Sequence, residues 1–218
     1  LLLLAVAGML GGCRREPVVA APTVDHAERW LTQCVPEVRE PPVIPSDSLG
    51  GSMLHLGIES NPVVASLART VPGGWGGFTT DSSGRLLVRL VDTTRAEAAL
   101  AALRRLWQDS ASVSGTGSDS YARWHAPMLP TARVVPVRFS MAQLFGWMTY
   151  ITWELHSTRN GPVELRGWGL DDRRNSLIYV ATDSVAQRHL EDVLGALGLP
   201  CGLVRTSWGP PIRFLDDG

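Results

Sequence analysis

One passage of this chain is written twice. "GRLLVRLVD" at 84–92 and "NSLIYVATD" at 175–183 align under one offset, which also places Asp81 on Asp172, Asp92 on Asp183, Gly84 on Asn175, Leu86 on Leu177 and Leu87 on Ile178. Gly and Asn are the residues that most readily take the left-handed backbone of a tight hairpin turn, so each copy reads strand, turn, strand. A helix start follows in each: Thr94 with Glu97, and Ser184 with Gln187, match the capping-box pattern. Apolar residues then recur at helical spacing, at Ala96, Ala99, Leu100, Leu103 and Leu106, and at Ala186, Leu190, Val193, Leu194 and Leu197. Gly198 with Pro200 beyond it is a helix stop. Further strands are expected over 132–139 and 202–208, and Pro136 restricts the first to an edge or an irregular strand. The expected fold is α+β: two ββαβ subdomains with small antiparallel or mixed sheets, the first over about 74–139 and the second over about 165–208. Each is too small to bury its own sheet and helix well, so the two are expected to share a core.

Between the copies "SMAQLFGWMTYITWEL" at 140–155 predicts a central connecting helix, capped by Ser140 with Gln143. Met141, Leu144, Phe145, Met148, Ile151, Thr152 and Leu155 trace one face, and Trp147, Tyr150 and Trp153 mark the other. A helix apolar nearly all round is either buried between two layers, the reading favoured here, or presents an aromatic ridge to a partner. Ahead of the first copy, Ser60 or Asn61 with Pro62 starts a helix over 60–70. The glycines of "VPGGWGGF" read as a bend entering a strand, since the lysine of a phosphate-binding loop is missing.

The apolar run "LLLLAVAGMLGGC" falls short of the 20 or so residues that span a bilayer and suits the core of a signal peptide. Its "LGGC" resembles the lipobox of bacterial lipoproteins. Residues 1–12 are therefore expected to be a truncated signal peptide and Cys13 the lipidated residue, the alternative being an ordinary cleavage site. Residues 13–51 are rich in proline and read as a semi-rigid tether, with one short helical stretch around Asp25–Gln33. The body is expected over 52–218. The expected location is extracytoplasmic, with the membrane engaged through the lipid anchor alone. In that oxidising space Cys34 and Cys201 are expected to form a disulfide, two buried thiols being the alternative.

Net charge is −1 and every one of the 20 basic residues is Arg. No nucleic-acid footprint is present, and chemistry that needs a lysine amine is excluded. His26, His55, His125, His156 and His189 lack ligand spacing, so no metal or other cofactor is expected. Ser118 in "GTGSDS" lacks the setting of a nucleophile elbow and belongs to a Ser/Gly-rich insert expected to be a surface loop. "DDRR" at 171–174 reads as a solvated charge cluster at a turn. No catalytic residues are assigned.

The order of elements is nevertheless similar to a known family. "RFSMAQLFGWM" followed by "GWGLDDRRNSLIYVAT" resembles the prodomains of the alpha-lytic protease and streptogrisin family, through Arg138, Phe139, Ser140, Gln143 and Leu144, then Trp168, Asp172, Asn175, Leu177, Ile178 and Val180. "GGFTTDSSGRLLVRLVD" looks like the family's earlier hairpin, and the similarity covers roughly residues 74–208. The resemblance implies two small α/β subdomains that act as a folding catalyst and inhibitor of a trypsin-like protease, with the C-terminal strand against the active site. No Gly-Asp-Ser-Gly nucleophile motif occurs here, and a lipid anchor is not a prodomain feature, so a prodomain-like fold without a protease domain is expected. The expected function is protein binding, chaperone-like or inhibitory toward a secreted serine protease. The expected contacts are the last strand (Leu203, Val204, Arg205 and Trp208) and, as a second surface, Trp147, Tyr150 and Trp153. The terminal "PPIRFLDDG" reads as a plain tail. A structural envelope lipoprotein without a protease partner is the alternative, and an enzyme of unrecognised type a more remote one.

Overall fold

Asn61 opens the folded body. Its side chain accepts from the Val64 N–H at 3.1 Å, and Pro62 begins helix α1 (Pro62–Thr70), where its missing donor costs nothing. The computed structural model describes residues 33–44, 58, 61–110, 124–157 and 161–209. Cys13, the run before it, nearly all of the helical stretch expected over Asp25–Gln33, the Ser118 loop and the tail beyond 209 lie outside the described residues.

The first repeat forms strands β1 (Trp75–Thr80) and β2 (Leu86–Leu90), helix α2 (Ala96–Ser110) and strand β3 (Arg133–Pro136). Helix α3 (Met141–His156) follows. The second repeat gives β4 (Leu165–Asp171), β5 (Ser176–Ala181), helix α4 (Ser184–Ala196) and β6 (Val204–Trp208). Each repeat pairs its hairpin antiparallel and adds its last strand parallel to the middle one, giving mixed three-stranded sheets ordered β1-β2-β3 and β4-β5-β6. The fold is α+β, with two sheet-containing subdomains.

The repeat is exact in register where it matters. Leu87 faces Arg133 and its counterpart Ile178 faces Arg205, so Pro136, opposite Leu90, and Trp208, opposite Ala181, are equivalent positions. Both turns use the aligned residue with positive φ, +77° at Gly84 and +53° at Asn175. The turns differ in how they are held. Asp81 Oδ1 accepts from the Ser83 and Arg85 N–H groups and the Ser83 hydroxyl. In the second copy the pairing of Asp171 with Ser176 leaves a shorter loop, and Asp171, not the aligned Asp172, accepts from the Arg174 N–H.

The helix caps correct two sequence expectations. The chain stays extended through Asp92, whose carboxylate accepts from Thr94 N–H, and a 3-10 turn at Thr93–Arg95 leads into α2. In the second copy Asp183 accepts from the Val185 and Ala186 N–H groups. The caps are therefore the aligned aspartates rather than Thr94 and Ser184. The third expected cap is present in full: Ser140 accepts from Gln143 N–H, and the Gln143 side chain accepts from Ser140 N–H.

Helix α3 lies between the units, packed against α1 and β1 on one side and β5 and α4 on the other. It buries Met141, Leu144, Trp147, Met148, Ile151, Thr152 and Leu155 in a core that runs from Val64 to Val204. A second join is polar. The Asn175 side chain accepts from Phe139 N–H and donates to Phe139 carbonyl, both at 2.8 Å, closing the second hairpin onto the end of the first unit.

Residues 33–44, expected to belong to the tether, form a strap on this body. Cys34 and Cys201 are joined by a disulfide that closes a separation of 167 residues. Next to it, Val35 N–H donates to the Leu199 carbonyl and Cys201 N–H to the Val35 carbonyl, a single parallel β-bridge.

Candidate functional site

Strand β6 ends the second sheet, so among the described residues it has a neighbour on one side only. Leu177 N–H donates to the Leu203 carbonyl at 2.7 Å. In a parallel ladder alternate residues turn both backbone groups to the neighbour, so 203, 205 and 207 face β5 while Val204, Thr206 and Trp208 turn theirs outward. Applied to β3, where Val137 N–H donates to the Leu90 carbonyl, the same parity turns Val134 and Pro136 outward. The first unit thus carries, at its outward edge position, the residue with no N–H to offer. The second carries Trp208 there. Proline on an edge is a standard way to prevent strand addition, and β6 lacks it.

Side chains along β6 divide by face. Leu203, just ahead of the strand, and Val204 are buried in the core, Arg205 is exposed, and Trp208 is 40% exposed. Leu203 and Val204 therefore cannot touch a partner by side chain, although the Val204 backbone faces outward. Beneath the strand lies a polar cluster that sequence reading missed. Glu191 accepts from the Gln187 amide at 2.7 Å and from the Thr206 hydroxyl at 2.9 Å, all three side chains being buried. Gln187 and Glu191 are four residues apart on the inward face of α4, a signal masked by the charged residues around them. This cluster ties β6 to α4.

The second expected surface is arranged differently. Trp147, Tyr150 and Trp153 form a ladder along α3, with ring centroids 5.8 and 6.1 Å apart. Trp147 is only 2% exposed and its indole N–H donates to the strap carbonyl of Arg39 at 3.1 Å, which corrects its expected role as an open contact. Tyr150 and Trp153 are half-buried. Desolvation, aided by a hydrogen bond with Glu154, raises the Tyr150 pKa.

Arg89 was also not singled out. It is 6% exposed on β2 facing the second hairpin; burial lowers its pKa, and the nearby carboxylates of Asp172 and Asp171 oppose that. The rest of "DDRR" behaves as a surface cluster, with Asp171 paired at 3.0 Å to an Arg174 side chain that is largely exposed.

Two open clefts lie among the described residues. One, of about 460 Å³, is lined by Leu155, His156, Ser157, Gly161, Pro162 and Val163. In it His156 Nδ1–H donates to the Thr152 carbonyl and the Ser157 hydroxyl to the Glu154 carbonyl, so neither group is turned to the other as nucleophile and base. The other, of about 400 Å³, lies between α2 and the helical turns at Ala126–Thr131 and includes Arg104 and Trp107. Among the described residues no three His, Cys, Asp or Glu side chains gather as metal ligands, and no helix is long and apolar enough to cross a membrane. No protein-family model matches the chain, and no curated protein matches it.

Proposed function

We propose that this chain is a noncatalytic extracytoplasmic lipoprotein, anchored through Cys13, that binds a partner protein by adding the partner's strand to β6. The partner we propose is a secreted trypsin-like serine protease, which the chain chaperones or inhibits. The observation that carries the reading is the divergence of two equivalent edges, with Pro136 blunting β3 and Trp208 leaving β6 able to donate. Strand addition takes its affinity from backbone hydrogen bonds and its specificity from flanking side chains, here Arg205 and Trp208. The choice of partner rests on the sequence resemblance to protease prodomains.

The backbone parity also selects the test. Proline at Arg205 would remove an N–H that faces β5, and proline at Val204 would disturb the core; both changes confound binding with folding. Trp208→Pro instead gives β6 the edge that β3 already has. The intact chain is added to a secreted trypsin-like protease and peptide hydrolysis is followed. Suppression by wild type, weakened about tenfold or more in Trp208→Pro, is expected. Equal suppression by both would remove strand addition, and no effect on any secreted protease would remove the partner and leave a structural envelope lipoprotein.

A further inference from the structure

The strap crosses α3 on one stripe, and each contact reads a different feature of an extended peptide. Gln143, Gly146, Trp147 and Tyr150 share a helix face at spacings of three and four. The Gln143 amide donates to the Glu40 carboxylate at 2.9 Å, and the Trp147 indole donates to the Arg39 carbonyl. The Pro41 ring lies on Gly146 so closely that a Cβ there would sit 2.6 Å from Pro41 Cγ. Glycine within a helix costs about 1 kcal/mol relative to alanine, and here that cost makes a flat seat for the proline ring. Glu40 and Pro41 each precede a proline, which holds both extended. The strap is bound as a ligand is bound: Pro36–Glu40 and Pro42 stay exposed, and only Pro41 is half-buried among them.

We propose that this stripe of α3 is a docking site for an extended peptide carrying a carboxylate followed by proline, and that the strap occupies it in cis, latched by Cys34–Cys201. A tethered segment competes at an effective concentration in the millimolar range, so a partner segment of the same chemistry gains access only where the strap is displaced. This surface is separate from the β6 edge and does not depend on it.

The test uses the whole chain with a protease site placed in "SLGGS" at 48–52 and cut after folding, so that the disulfide, the bridge at Val35, the Arg138 contact with the Pro36 carbonyl and the stripe retain the strap. Reduction with dithiothreitol and desalting removes it. A fluorescent peptide of residues 33–44 with Cys34→Ser is then titrated and its anisotropy read. Saturable binding is expected, weakened at least tenfold by Pro41→Ala or Glu40→Ala in the peptide. Absence of saturation at millimolar peptide, indifference to both substitutions, or unfolding of the body on strap release would overturn the proposal. A second variant is independent of cutting. In the intact chain Gly146→Ala is expected to speed exchange of the Trp147 indole N–H, which the Arg39 carbonyl covers, at least tenfold while the α3 backbone stays protected, and unchanged exchange of that indole would also overturn it.

Discussion

Replacing Asn175 with Gly should loosen the join between the two units without disturbing the turn in which it sits. Glycine accepts the φ of +53°, so backbone strain is not introduced. What is lost is a pair of 2.8 Å hydrogen bonds to Phe139 N–H and carbonyl. Asn175 is 6% exposed and Phe139 1%, so both backbone groups would be left away from bulk water. Each buried bond contributes about 1 kcal/mol net, and each stranded partner costs about 1–3 kcal/mol, so a loss of about 3 kcal/mol is expected. For a chain of this size that lowers Tm by about 6–12 °C. Urea denaturation followed by tryptophan fluorescence measures the change directly. Asn175→Asp refines the test: the carboxylate keeps the acceptor for Phe139 N–H but faces the Phe139 carbonyl without a donor. Only the protonated form can donate there, which raises the folded-state pKa of the new Asp. Its stability is therefore greatest in acid and falls as pH rises through that pKa. Loss of less than about 0.5 kcal/mol in Asn175→Gly, within the range of an ordinary surface change, would refute the assignment of the clamp as a structural join.

Two further predictions concern the ends of elements and the strap. Hydrogen bonds from Ser83 and Arg85 lower the Asp81 pKa, and those from Thr94 lower that of Asp92. The stability these two groups contribute is full above the usual carboxylate pKa of about 3.9 and is lost as pH falls through the lower folded values; Asp92→Asn, which keeps a capping acceptor, should flatten that acid limb in a pH series of melts, and an unchanged limb would remove Asp92 from it. Separating Cys34 from Cys201 opens a closure of 167 residues and should lower stability by up to about 4–5 kcal/mol. Cys34→Ser and Cys201→Ser should be equally affected in denaturant, and a double variant no worse than either single one.

The architecture was legible because hydrophobic periodicity and turn residues act locally. The aligned Gly84 and Asn175 announced two hairpins, and Pro136 announced an edge. The capping residues were misplaced because Thr94–Glu97 and Ser184–Gln187 satisfy a local pattern, whereas the backbone remains extended through Asp92 and Asp183. The aspartate is then the acceptor standing at the first free N–H groups, and Gln187 is left to turn inward to Glu191. The accessible site was less legible. An all-round apolar helix told that α3 was covered, but the cover on Trp147 comes from Arg39, whose distance in sequence leaves no periodic trace. Likewise Val204 begins, and Leu203 directly precedes, a strand that does lie at an edge among the described residues, and only the alternation of its backbone separates groups that face outward from side chains that face the core.

Divergence between the copies is concentrated where a repeat unit meets something other than itself. Positions that build the unit are held in common: the left-handed turn residue, the capping aspartate, the register of the parallel strand and an arginine in it, Arg133 opposite Leu87 in one copy and Arg205 opposite Ile178 in the other. Gly84, whose turn would meet nothing within 4 Å of an added Cβ, becomes Asn175 where the turn must grip the other unit. Val134 becomes Thr206, which fixes β6 to Glu191 beneath it. Pro136, which has no N–H to turn outward, becomes Trp208, which has one. A unit selected only to fill half of a shared core would have no reason to exchange an edge-protecting proline for a half-exposed indole on a strand whose backbone it also anchors from below. Together these changes set the edge of the second unit apart from that of the first, the observation from which the proposal of binding at β6 starts.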